Sequence, residues 1–176
     1  MKLIDKLEVR RSHRVVQFFL ERAKNWEAEG RDFSIYWSIA HMISTTQIIR
    51  LLAVKRGLDP DICAIAGAIH DIATMESGKS ENHATRALDY IAPLIKAYNE
   101  SSCVTNDALK ITDAEIALLE EIIPKHSNKK ETSANPYAEA LKDADAIDRY
   151  LHGVEATEPE MPRLTAIFTE LGSNFN

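Results

Sequence analysis

Disulfides are almost out of reach for this chain. It has two cysteines, Cys63 and Cys103, too few for the bridged frameworks of small secreted domains. Cys63 falls in the apolar run 62–69 and reads as a small core residue. No apolar run is longer than that one, and it is far short of the roughly 20 residues that cross a bilayer. Met1-Lys-Leu-Ile-Asp-Lys6 loses its apolar character at Asp5, unlike a secretory signal. Internal repeats, glycine-rich phosphate loops and strand-like alternation are all missing. Positive charge is scarce too. Lys and Arg number 21 against 27 Asp and Glu, a net charge of -6. That balance argues against broad nucleic-acid binding, while local basic groups can still hold a small anion. No membrane partner is expected, and the setting these absences fit is a reducing cytoplasm.

What is present suits one helical domain. The chain has 176 residues, 45% hydrophobic and 27% charged, enough for a sizeable core. The expected domain spans 1–176, with a core over about 33–152 and helices 11–29 and 158–170 packed on it. Val15, Phe18, Phe19 and Trp26 give 11–29 its stripe, with Ser12 as a candidate cap and Gly30 as the stop. A long helix, 33–56, carries His41 and ends at Gly57. Asp59 and Pro60 open the next helix, which runs through Ile62, Ala66 and Ile69 into His70-Asp71. Gly67 and its neighbouring alanines let another helix come close. A polar loop over 74–82 holds Lys79, and a helix follows over 83–98. Thr112 or Asp113 caps a helix with Ile116, Leu119 and Ile122 inward, broken at Pro124. Pro136 restarts a helix with Ala140, Leu141, Ala144 and Ile147 inward. The tail 172–176 is expected to fray. The fold class is all-α, a bundle of six or seven helices.

Several polar residues interrupt this apolar pattern. Each has a bland explanation alone: His41 as a satisfied core histidine, His70 and Asp71 as a helix end, His83 as a surface group, Asp145 as a partner for Arg149. Together they form a series of His41, His70-Asp71, His83, His126 and Asp145. Four of the six histidines belong to it, each beside apolar sequence on a helix face or end. A histidine and a carboxylate are costly to bury unless something binds them, and a divalent metal uses these ligands.

These residues resemble the HD superfamily of metal-dependent phosphohydrolases. The matching motifs are His41 on a long helix, Ala66-Gly-Ala-Ile-His-Asp-Ile-Ala73, Lys125-His-Ser127 and Lys142-Asp-Ala-Asp-Ala-Ile-Asp148. The resemblance implies an all-helical fold, one or two divalent ions (Mn, Fe, Co, Ni or Zn, with Mg an option) and hydrolysis of a phosphate ester or anhydride. By position, His41, His70, Asp71 and Asp145 would be the core metal ligands. His83 and His126 match positions that hold a second metal in binuclear members. With two metals, about 3.5–4 Å apart, Asp71 could bridge them. With one, His83 and His126 would meet the substrate instead.

The catalytic candidates are Asp71, His126 and Asp148, with Asp148, His126 or metal-bound water as the general acid. Cations available to a phosphate are Lys79, Arg86, Lys125, Lys129 and Lys142, of which Lys79, Lys125 and Lys142 are taken as the phosphate-binding candidates. Family members often carry lysine or glutamate just after the His-Asp pair, where this chain has Ile72, Ala73, Thr74 and Met75. The expected substrate is a small phosphorylated molecule, a nucleotide by family analogy alone, and a homodimer is left open. Two other readings stand beside this one. The first is a catalytically silent metal- or nucleotide-binding module of the same fold. The second is a structural bundle with scattered histidines, which predicts no stoichiometric metal.

Overall fold

Ser34 sets the start of the longest helix. Its side chain accepts from the Trp37 N–H, satisfying one of the donors that a helix start leaves bare. The structure is a computed structural model that describes residues 6–158 and 160–172. The expectations for 1–5 and 173–176 lie outside them. In chain order the helices are α1 (Lys6–Ala23), α2 (Ile35–Arg56), α3 (Pro60–Ile69), α4 (Ile72–Ser77), α5 (His83–Arg86), α6 (Leu88–Asn99), α7 (Asp113–Ile122), α8 (Pro136–Leu151) and α9 (Met161–Glu170). Short 3-10 turns occupy Asp107–Leu109 and Ile123–Lys125. No strand occurs among the described residues.

The count exceeds the expected six or seven for a local reason. The polar loop expected over 74–82 is helical in its first part: after His70-Asp71 the chain re-enters helix as α4, which Gly78 ends in the left-handed region. The expected helix 83–98 divides at Ala87 into a single turn and α6. Both breaks lie beside the polar series, so they aim side chains that a continuous helix would carry past the centre.

α2 lies between α3 and α8, and α1 packs on α3. One apolar cluster runs through all of them, from Val15 and Phe19 of α1 through Ile49, Ile65 and Leu141 to Leu164 and Ile167 of α9. Within it α2 and α3 touch almost backbone to backbone at Gly67. A Cβ there would sit 2.9 Å from Ile49 Cγ2 and 3.1 Å from both Thr45 O and Thr46 Cα. That closeness brings His41 of α2 and His70 at the end of α3 to one place. Ser12 proves not to be a cap: it lies buried within α1 and accepts from Arg50.

Candidate metal centre

Three of the four histidines are held in the same way. His70 Nδ1–H donates to Gly67 O at 2.8 Å, His83 Nδ1–H to Ser80 O at 2.8 Å and His126 Nδ1–H to Ile123 O at 2.7 Å. In each case the acceptor is the carbonyl three residues earlier, so a helical or 3-10 turn suffices to orient the ring. His41 Nδ1–H donates instead to the Asp148 carboxylate, one turn beyond Asp145 on α8. Trp37, one turn before His41 on α2, stacks on its ring with centroids 6.0 Å apart and planes 7° apart. With Nδ1 committed, each ring turns Nε2 inward, the arrangement that fixes a metal-binding tautomer.

The two oxygens of Asp71 divide these rings into pairs. Oδ2 lies 3.5 Å from His41 Nε2 and 3.8 Å from His70 Nε2. Oδ1 lies 3.2 Å from His83 Nε2 and 3.4 Å from His126 Nε2. Asp145 joins the first pair, with Oδ1 at 3.3 Å from His41 Nε2 and 3.9 Å from His70 Nε2. Its Oδ2 accepts from Lys129, whose Nζ also donates to His126 O at 2.6 Å.

Two observations show that divalent cations fit this donor set. Nε2 of His83 faces Nε2 of His126 at 3.1 Å, and that of His41 faces that of His70 at 3.0 Å. In the first pair both Nδ1–H groups are spent on carbonyls, so the two Nε2 atoms are left facing one another as a shared cation would require. The second observation is Asp71 Oδ1, buried with no hydrogen-bond partner among the described residues. Ligand atoms of His41, His70 and Asp71 lie within 4.8 Å of one another, as do those of Asp71, His83 and His126.

In the metal-free chain the surrounding carboxylates favour the charged form of His41, so an ion bound there would displace its Nε2 proton. Burial opposes charge on His41, but hydrogen bonds to Asp145 and Asp148 outweigh it and raise its pKa to about 10. Burial pushes His70 down to about 4, only partly offset by Asp71, which leaves a neutral imidazole. Burial also works against Asp71 and Asp145. His70 and His126 around the first, and Lys129 and His41 around the second, nonetheless hold both carboxyls below their usual range.

A cleft of about 360 Å³ opens on this cluster, walled by Phe33, Trp37, His83, Ser127, Lys129 and Arg149 among others. A larger cavity of about 670 Å³ lies beyond Lys129, against α9. Its arginines are already engaged: Arg56 holds Asp143 and Glu170, and Arg163 holds Asp143 and Glu139. The ligand-bearing cleft is therefore the better candidate site.

The HD domain matches residues 38–150, well over half of the chain. The chain belongs to the HD-domain family. Neither the curated proteins nor the solved structures yield a match. All six candidate metal ligands fall inside the matched span, whereas α1 and all the residues after α8 fall outside it.

The remaining candidates stand elsewhere in the HD domain. Lys79 Nζ donates to Gly30 O at 2.7 Å and reaches Asp32, pinning one loop to another. Lys125 Nζ pairs with Glu121 at 3.1 Å. Lys142 is buried and donates to Glu131 O at 2.6 Å and Glu139 Oε1 at 3.0 Å. None of the three lines the cleft, and Lys129 is the lysine that does. Asp148 also departs from its expected role as an acid. It is 0% exposed behind His41, and His152 Nδ1 lies 3.2 Å from Oδ2. It orients His41 and lies away from the cleft. Asp145 pairs with Lys129, not with Arg149.

The sequence places Trp37 on the His41 face and Ser127 in the Lys125-His-Ser motif, but sequence reasoning gave neither a role in the site. Ser127 Oγ lies 3.0 Å from His83 Nε2. Both had a usable signal: Trp37 precedes His41 by one turn, and Ser127 adjoins His126.

Proposed function

We propose that this HD-domain chain is a divalent-metal phosphohydrolase that cleaves an ester or anhydride bond of a small phosphorylated molecule, a nucleotide by family analogy. The observation that carries the reading is Asp71, with one oxygen toward His41 and His70 and the other toward His83 and His126. His41, His70, Asp71 and Asp145 would hold one ion. His83, His126 and the second Asp71 oxygen would hold another. Ions held there supply water of lowered pKa and counter-charge for phosphoryl oxygens.

The protein's own groups prepare that chemistry. Asp148 and the carbonyls of Gly67, Ser80 and Ile123 fix the four imidazoles before substrate arrives. Lys129 holds Asp145 in place and offsets part of the cluster's negative charge. Phe33 and Trp37, with ring centroids 6.4 Å apart, give the cleft an apolar aromatic wall. A flat face of this kind suits a nucleobase, which supports the nucleotide assignment. The buried cysteines Cys63 and Cys103 are both free, and a cytoplasmic location belongs to the same proposal. Among the described residues no helix is long and apolar enough to cross a membrane.

One observation favours a second reading, a silent metal- or nucleotide-binding module. Ile72, Ala73, Thr74 and Met75 are all buried, so the first turn of α4 offers the cleft no lysine or glutamate. Elemental analysis joined to a panel of nucleotides and phosphoesters tests both. The enzyme reading expects bound Mn, Fe, Co, Ni or Zn and release of phosphate or pyrophosphate, with Asp71→Ala losing metal and turnover together. Full metal content in that variant would falsify the ligand assignment. Bound metal and nucleotide, with silence across the panel, would select the second reading.

A further inference from the structure

Arg149 lies on α8 one helical turn beyond Asp145, so the two share a face of the helix. The simplest expectation pairs them, but Asp145 is taken: one oxygen accepts from Lys129 and the other lies against His41. Other arginines of this chain are engaged. Arg11 holds Asp61 and Glu115, Arg22 holds Glu76, and Arg56 and Arg163 hold Asp143. Arg31 donates to the carbonyls of Thr74 and Met75. The Arg149 side chain has no hydrogen bond or ion pair with any described residue, and its Nε is buried. Glu160, an acid on the same cleft wall, keeps Oε2 for the Thr157 N–H and hydroxyl.

A half-buried guanidinium with no partner is costly to maintain. It stands on the cleft that also exposes Asp71, His83, Ser127 and Lys129. A planar fork of N–H donors matches two oxygens of one phosphate. Lys129 is a poorer candidate for that task, since its ammonium already holds Asp145 and His126 O. From these contacts we infer that Arg149 receives the non-bridging phosphoryl oxygens of the substrate, and that it is the cleft's anion-recognising side chain. The inference rests on the phosphohydrolase reading of the same site and adds to it the residue that selects a phosphate-bearing ligand.

The test uses the metal-loaded full chain with inorganic phosphate as the probe. Calorimetric titration and elemental analysis are run on wild type, Arg149→Ala, Arg149→Gln and Arg149→Lys, with circular dichroism to confirm folding. Arg149→Gln keeps most of the stem, so a folded variant is available if alanine disrupts packing. The expected result is unchanged metal content and about 10- to 100-fold weaker phosphate binding for alanine and glutamine, as loss of a charge-assisted contact implies. Lysine should recover only part, because it cannot present the fork. With a substrate from the panel, the loss should appear mainly in KM. Wild-type phosphate affinity in Arg149→Gln overturns the inference, and so does loss of metal from that variant. Wild type that holds metal but binds no phosphate overturns it while leaving the metal assignment standing. Wild type without metal overturns the functional proposal and this inference together.

Discussion

Asp148 shows how one side chain can matter without facing the substrate. It touches only His41 and His152 near the centre, and its Oδ1 is buried with no hydrogen-bond partner among the described residues. Its value is to hold the His41 proton on Nδ1 and so keep Nε2 for the cluster. Outer groups of this kind are worth roughly 10- to 100-fold in metal affinity. Asp148→Asn should therefore fold, keep both histidine pairs and bind metal weaker by about that factor, as read by competition with a chromophoric chelator. Affinity equal to wild type would mean that Trp37 stacking alone fixes the ring. The histidines and aspartates of the cluster were legible in the sequence because charged or polar groups stood out against apolar neighbours. The lysines were not. Lys79 and Lys129 sit in polar stretches and Lys142 beside an acid on a mixed helix, and only the folded chain determines which carboxylate each long side chain meets.

At the scale of helices, legibility followed local chemistry. Asp59 followed by Pro60, Thr112, and Asn135 with Pro136 all mark observed starts. Thr112 forms a reciprocal cap with Glu115, which a short window can reveal. Long-range packing was harder to read. α1 stops at Ala23 rather than 29, because Trp26 is drawn under the Arg31 guanidinium, 5.3 Å from its ring centroid. Gly67 was legible as a close-approach residue, but its neighbours were not. Its substitution makes the contact measurable. Alanine normally favours a helix over glycine by about 1 kcal/mol, yet here its Cβ would press on Ile49 and on the α2 backbone. Overpacking of this kind costs about 1–3 kcal/mol. Gly67→Ala should lower the melting temperature, and by moving α2 from α3 it should also weaken metal binding. A variant more stable than wild type would show that α2 yields freely.

The whole molecule raises the question of how α1, outside the matched HD span, is fastened to the rest. Val15, Phe18 and Phe19 join the common core, and Arg11 adds a polar clamp. It donates through Nε to Asp61 on α3 at 2.5 Å and through its terminal amino group to Glu115 on α7 at 2.6 Å. The clamp is uneven. Burial opposes charge on Arg11, but Glu115 and then Asp61 outweigh it and raise its pKa. Asp61 is 3% exposed, and its Oδ1 is buried with no hydrogen-bond partner among the described residues. Burial thus exceeds the pull of Arg11 and raises its carboxyl from 3.8 to about 6. A carboxyl raised on folding binds more protons in the native state than in the unfolded one. Its contribution to stability is therefore complete below pH 3.8 and is lost as pH rises through about 6. The full swing is of order 3 kcal/mol. Asparagine keeps an acceptor for Arg11 and removes the titration. The stability of Asp61→Asn minus that of wild type, from urea unfolding at each pH, should then grow between about pH 4 and 7. Other carboxylates held by cations, such as Glu115 and Glu139, shift the opposite way, but they are common to both proteins and cancel in the difference. A flat difference across that range would mean that Asp61 is ionised throughout and that Arg11 alone neutralises the joint between α1, α3 and α7.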